Sequence, residues 1–129
     1  MPTVELTATD FEKTVLENDI VLVDFWASWC GPCRSFAPTY EKASEKNDDI
    51  VFGKVDTEAQ QELASAANIS SIPTLMAFRD GILVFSQPGA LPAKSLEQVI
   101  EGVRGLDMDD VRAQVAQAHA AQTGEPARS

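Results

Sequence analysis

Hydrophobic and polar positions along the chain alternate in blocks, with short apolar runs separated by stretches of helical period. The chain opens on TVEL, residues 3–6, which alternates with the period of a strand. Thr9 and Glu12 then have capping-box spacing, predicting a first helix from there to about Asn18. IVLVDFWA, residues 20–27, is almost continuously apolar, the pattern of a central strand buried on both faces. From about Arg34 to Lys46 the composition is helical, and Pro38 inside it removes a backbone donor and predicts a kink. DIVFGKVD, residues 49–56, reads as a strand, and EAQQELASAAN, residues 58–68, as a helix rich in Ala, Gln and Glu.

After this βαβαβα pattern the character changes. PTLMAFRDGILVFSQPG holds two strand-like runs joined by Arg79-Asp80-Gly81, and Asp-Gly is a strong signal for an antiparallel hairpin. In AKSLEQVIEGVRGL, Leu96, Val99, Ile100 and Val103 have the i, i+3, i+4, i+7 spacing of a helix lying on a sheet. The predicted fold is α/β, a central mixed sheet flanked by helices on both faces, with one domain over residues 1–105. Residues 106–129 form an extension. Asp107, Asp109 and Asp110 there suit a helix N-terminus, Met108, Val111 and Val115 make a thin apolar stripe, and the closing TGEPARS reads as frayed.

Twenty acidic residues against ten basic ones give a net charge of −10. That charge repels phosphate backbones and anionic lipid headgroups, which argues against nucleic acid and membrane surfaces as partners. No apolar run approaches the ~20 residues that span a bilayer, and the N-terminal residues lack the basic and apolar regions of an export signal, so the expected location is the cytoplasm.

The chain has two cysteines, Cys30 and Cys33, separated only by Gly31 and Pro32. Two thiols three residues apart at a strand-to-helix junction can close and reopen a disulfide with little backbone motion. A zinc site needs four ligands, and there is no second C-x-x-C; the one histidine, His119, lies in the extension. Hydrolysis by a Cys–His pair lacks its base for the same reason. A helix starting near Cys30 would stabilise a thiolate there, making Cys30 the nucleophile and Cys33 the more buried resolving thiol. Pro32 suits a first helical turn and fixes the geometry of the pair. Asp24, a lone carboxylate in an apolar strand, should have a raised pKa and serve as proton acceptor for the resolving thiol, with Lys54 as its charge partner.

FWASWCGPC resembles the active-site segment of the thioredoxin family. Pro38, FGKVD with Lys54, Ile72-Pro73-Thr74, Asp80-Gly81 and Gly89-Ala90 fall in the same order, over roughly residues 5–105. Trp26 within DFWA is closer to bacterial and organellar members. The resemblance implies the thioredoxin fold, a cis Pro73 facing the cysteines, and Ile72 offering backbone groups to an extended substrate strand. It further implies a docking rim of Trp29, Gly31, Pro32, Ile72, Pro73, Gly89 and Ala90. By the same resemblance the chain is a monomer that needs no bound cofactor or metal. It would reduce disulfides of client proteins, and a flavin- and NADPH-dependent thioredoxin reductase would regenerate its Cys30–Cys33 couple.

Two features depart from the family's commonest pattern: Pro88, which stiffens the loop beside the site, and the extension after residue 105. The main expectation is a protein-disulfide reductase. Two alternatives stay open: an oxidase or isomerase of the same fold, although oxidising relatives tend to carry a histidine between the cysteines, and a binding or chaperone-like module in which the cysteines are incidental.

Overall fold

The computed structural model describes residues 2–123. Five strands, β1 (Thr3–Glu5), β2 (Ile20–Trp26), β3 (Val51–Asp56), β4 (Thr74–Arg79) and β5 (Ile82–Pro88), form one sheet in the order β1-β3-β2-β4-β5. The first three are mutually parallel; β4 runs antiparallel to β2, and β5 to β4. The helices are α1 (Phe11–Glu17), α2 (Gly31–Lys46), α3 (Gln61–Ala66), α4 (Ala93–Arg104) and α5 (Met108–Thr123).

Side chains alternate across a strand, so the unbroken apolar run of β2 requires two cores. Leu22 joins Phe36, Tyr40, Phe52, Leu75, Leu96 and Ile100 beneath α2 and α4. Val21, Val23 and Phe25 join Leu6, Val15, Val55 and Met76 on the opposite face, toward α1 and α3. The predicted stripe of α4 lies inward, with Leu96, Ile100 and Val103 buried and Val99 partly so. Each such side chain contributes about 1.5–3 kcal/mol by leaving water.

The hairpin forms where Asp-Gly predicts it. Asp80 and Gly81 both have positive φ, 52° and 80°, the backbone of a two-residue turn matched to strand twist. Pro38 lies within α2, where it deprives the Arg34 carbonyl of its helical donor.

Three local expectations differ. The N-cap of α1 is Asp10, not Thr9, because the Asp10 carboxylate turns back to accept from the Thr7 N–H at 2.7 Å and the Phe11 N–H donates to the Thr7 carbonyl. The helix predicted over 58–68 is only six residues long: the Asp56 carboxylate accepts from the N–H groups of Glu58 and Ala59 in a turn, and Asn68 leaves helical space at φ 58°. The helix after Asp24's strand begins at Gly31, three residues earlier than composition alone placed it, with Cys30 as N-cap.

In the extension, the Asp107 carboxylate accepts from the N–H groups of Asp109 and Asp110 as α5 begins. Arg79 of β4 donates to the carbonyls of Val103, Arg104 and Leu106 at 2.8–3.0 Å, satisfying the end of α4 and fixing the turn into α5. Met108 is buried, whereas Val115 is 47% exposed, so only the first turns pack. The expected fraying of TGEPARS concerns residues 124–129, which lie outside the described residues. Among the described residues no helix is long and apolar enough to cross a membrane.

Candidate active site

The site lies where β2 hands over to α2. Cys30 and Cys33 are joined by a disulfide with a Cα–Cα separation of 5.2 Å. Cys30 caps α2, and its Sγ accepts from the Cys33 N–H at 3.2 Å, one of the donors that a helix N-terminus leaves unpaired. Pro32 occupies the first helical turn, where it forfeits no hydrogen bond. Both sulfurs are shielded: Cys30 is 5% exposed and Cys33 2%, so the expected contrast in burial is small.

The rim comes from three further segments. Ile72–Pro73 is a cis peptide bond, and the Ile72 carbonyl oxygen lies 3.7 Å from Cys30 Sγ. The Thr74 hydroxyl donates to the Ser71 carbonyl at 2.6 Å, tightening the turn around the cis bond. Gly89 donates its N–H to the Pro73 carbonyl at 2.8 Å and has φ 102°, a backbone that side-chain-bearing residues rarely adopt. Ala90 follows it, exposed, and Gly31 is open to solvent with nothing packed where a Cβ would be. Trp29 is the most exposed large side chain of the site, at 63%, yet its Nε1–H donates to the Glu58 carboxylate at 2.7 Å. The structure thus gathers Cys30, Cys33, Ile72, Pro73 and Gly89 directly, with Trp29, Gly31, Pro32 and Ala90 on adjoining exposed backbone.

Asp24 lies within the sheet, on the face that α2 covers. It is 1% exposed, and neither carboxylate oxygen has a hydrogen-bond partner among the described residues. Burial pushes its pKa from 3.8 up to about 7, against a weaker downward pull from the Lys54 charge. Lys54 stands opposite it in the β2–β3 register. The two form no close ion pair: the Lys54 ammonium lies 4.7 Å from the centre of the Trp26 ring, a cation–π contact, and acts on Asp24 at longer range. Among the described residues no group of three or more His, Cys, Asp and Glu is arranged to hold a metal ion.

Two residues near the site carry no signal in the sequence pattern. Glu58 is one acidic residue among many, and only the approach of the β3–α3 connection to the Trp29 loop gives it a partner. Tyr40 reads as core, but its hydroxyl donates to the Gly53 carbonyl at 2.8 Å beside Lys54.

Comparison with known proteins points one way. The family described as Thioredoxin matches residues 2–102. "Putative thioredoxin 2" of Streptomyces coelicolor is 62% identical over 118 residues, spanning 92% of this chain and 88% of its own length. A match of that length cannot fit within residues 1–105 and therefore takes in part of α5. "Thioredoxin 1" of Synechococcus elongatus is 44% identical over 98 residues, 74% of this chain and 92% of its own. Among solved structures, thioredoxin of Plasmodium falciparum superposes with a TM-score of 0.72 at 36% identity, covering 78% of this chain and 97% of that one. A thioredoxin variant of Halobacterium salinarum gives 0.75 at 34% identity, covering 81% and 94%.

Proposed function

Because the chain belongs to the thioredoxin family and is a thiol–disulfide oxidoreductase acting through its own cysteine pair, we propose that it runs the exchange in the reducing direction on protein disulfides. The observation that carries this reading is the CGPC disulfide at the start of α2, set against the Ile72 carbonyl and cis Pro73.

In the reduced protein the N-terminal field of α2 and the Cys33 N–H favour a thiolate at Cys30. That thiolate attacks one sulfur of a client disulfide, forming a mixed disulfide and releasing one client thiolate. Asp24, whose raised pKa lets it take a proton near neutrality, accepts the Cys33 proton, and Lys54 moderates its proton affinity. Cys33 then attacks the Cys30 sulfur and expels the second client thiolate. Two electrons have passed to the client, and the Cys30–Cys33 disulfide remains.

Trp29, Gly31, Pro32, Ile72, Pro73, Gly89 and Ala90 supply the docking rim, on which an extended client strand meets the Ile72 backbone. A thioredoxin reductase carrying flavin and using NADPH returns the two electrons. The catalytic domain closes near residue 105, with α5 as an appendage, and the protein works as a monomer in the cytoplasm, the reducing compartment this chemistry requires.

The test is the midpoint potential of the couple, titrated against dithiol and glutathione buffers and followed by the fluorescence of Trp26 and Trp29. A couple more reducing than glutathione is expected. A couple more oxidising than glutathione would reverse the direction, and the lack of any reversible couple would reduce the protein to a binding module.

A further inference from the structure

Tyr40 stands on the inward face of α2, at i+7 from Cys33 and i+4 from Phe36, and is fully buried. Its ring packs against Phe36 and Phe52, at centroid separations of 5.6 and 5.3 Å. Among these apolar neighbours its hydroxyl spans from α2 to β3, donating to the Gly53 carbonyl. Gly53 is followed by Lys54, the residue in register with Asp24. One hydrogen bond therefore ties the helix that carries Cys33 to the strand that carries Lys54, the charge that pulls the Asp24 pKa down.

The surroundings of Asp24 contain few other polar groups. On its buried face α2 carries Cys33 and Tyr40; Arg34 and Lys42 on the same helix are exposed, and Glu41 accepts from Thr3 instead. From β3 comes Lys54. Leu75 of β4 stands opposite Asp24, and α4 presents Leu96 and Ile100, its Lys94, Glu97 and Glu101 being exposed. The Asp24 charge also reaches Tyr40: after burial it is the second cause holding the phenol well above its ordinary pKa.

We propose that Tyr40 is a positioning residue for Asp24, holding the Gly53–Lys54 segment against α2 and supplying a polar neighbour, so that it sets the pH at which Asp24 exchanges its proton. The inference rests on the reading of Asp24 as proton acceptor. Both parts of the action have one sign. Without the hydroxyl, Lys54 is held less closely and the surroundings of the carboxylate are less polar, and each change favours the protonated acid.

The experiment uses the oxidised protein, in which the cysteines do not titrate. The chain has a single tyrosine, so ¹³Cζ-tyrosine gives one resonance, and ¹³Cγ-aspartate reports Asp24 directly. The tyrosine signal is expected to move with the Asp24 midpoint and to stop moving in Asp24→Asn. In Tyr40→Phe the Asp24 midpoint is expected to rise by about half a pH unit or more, roughly a threefold change in proton affinity. A tyrosine signal flat through the Asp24 titration overturns the proposal. So does a Tyr40→Phe midpoint that is unchanged or lower, even if the variant is less stable, because lost stability alone would mark a structural role. Should Tyr40→Phe fail to fold, the resonance of the native chain decides. If Asp24→Asn resolves mixed disulfides at the parent rate, the proton-acceptor reading falls, while the Tyr40–Asp24 coupling is still judged by the titration.

Discussion

Replacing Asp24 by Asn removes a buried ionisation and should stabilise the protein in a pH-dependent way. The folded pKa of about 7 lies above the 3.8 of an ordinary aspartate, so the folded state binds the proton more tightly than the unfolded one. As pH rises from about 4 to 7, the unfolded carboxyl ionises freely and the folded one resists, so the parent loses stability over that window. At 1.36 kcal/mol per pH unit, the rise from 3.8 to about 7 corresponds to about 4 kcal/mol, complete above pH 7 and absent below pH 4. The Asn amide has its own burial cost of about 1–3 kcal/mol, but that cost does not vary with pH. Other carboxylates titrate equally in both proteins and cancel in the difference. Urea unfolding of the oxidised parent and variant, from pH 4 to 8.5, should give a stability difference that grows by about 4 kcal/mol in favour of Asn. A difference independent of pH would refute the buried, raised carboxylate.

Two further outcomes follow from the geometry. Glu58→Gln weakens the charge-assisted bond that holds the exposed Trp29 ring, and should raise KM for a protein disulfide about two- to tenfold, equivalent to roughly 0.5–1.5 kcal/mol, while leaving the midpoint potential unchanged. A steady-state assay paired with the redox titration separates the two effects. Met108→Ala empties the anchor of α5 and should lower unfolding free energy by about 2–5 kcal/mol, with kcat/KM for client reduction unaltered. Thermal unfolding and a disulfide-reduction assay check both parts.

The elements legible in the sequence were those whose cause is local. The run of β2, the Asp-Gly turn and the stripe of α4 each carry their burial pattern within a dozen residues, and the CGPC pair carries its chemistry within four. The raised pKa of Asp24 was legible for the same reason, since apolar neighbours on both sides leave a carboxylate nowhere to go but inward. What the residues alone did not disclose depends on partners distant in the chain. Trp29 finds Glu58 from 29 positions away, and Cys30 meets the Ile72 carbonyl across 42. The cis bond at Pro73 was expected through family resemblance, not from the local residues. Lys54 was anticipated as the charge partner of Asp24, and the competing attraction of the Trp26 ring accounts for the absence of a close pair. The start of α1 was misplaced because the Asp10 carboxylate turns back to the Thr7 N–H and makes Asp10 the first half-helical residue, a contact that the Thr9–Glu12 spacing does not disclose.

The most direct test of the account is a trap. Cys33→Ser keeps the Cys30 nucleophile and removes the resolving thiol, so incubation of its reduced form with an oxidised client should accumulate a mixed disulfide. Intact-mass and peptide mapping under non-reducing conditions should locate that bond at Cys30, with none accumulating in the parent. If the variant releases reduced client at the parent rate, or if the adduct forms instead at Cys33 of a Cys30→Ser protein with equal speed, the assigned order of attack is wrong.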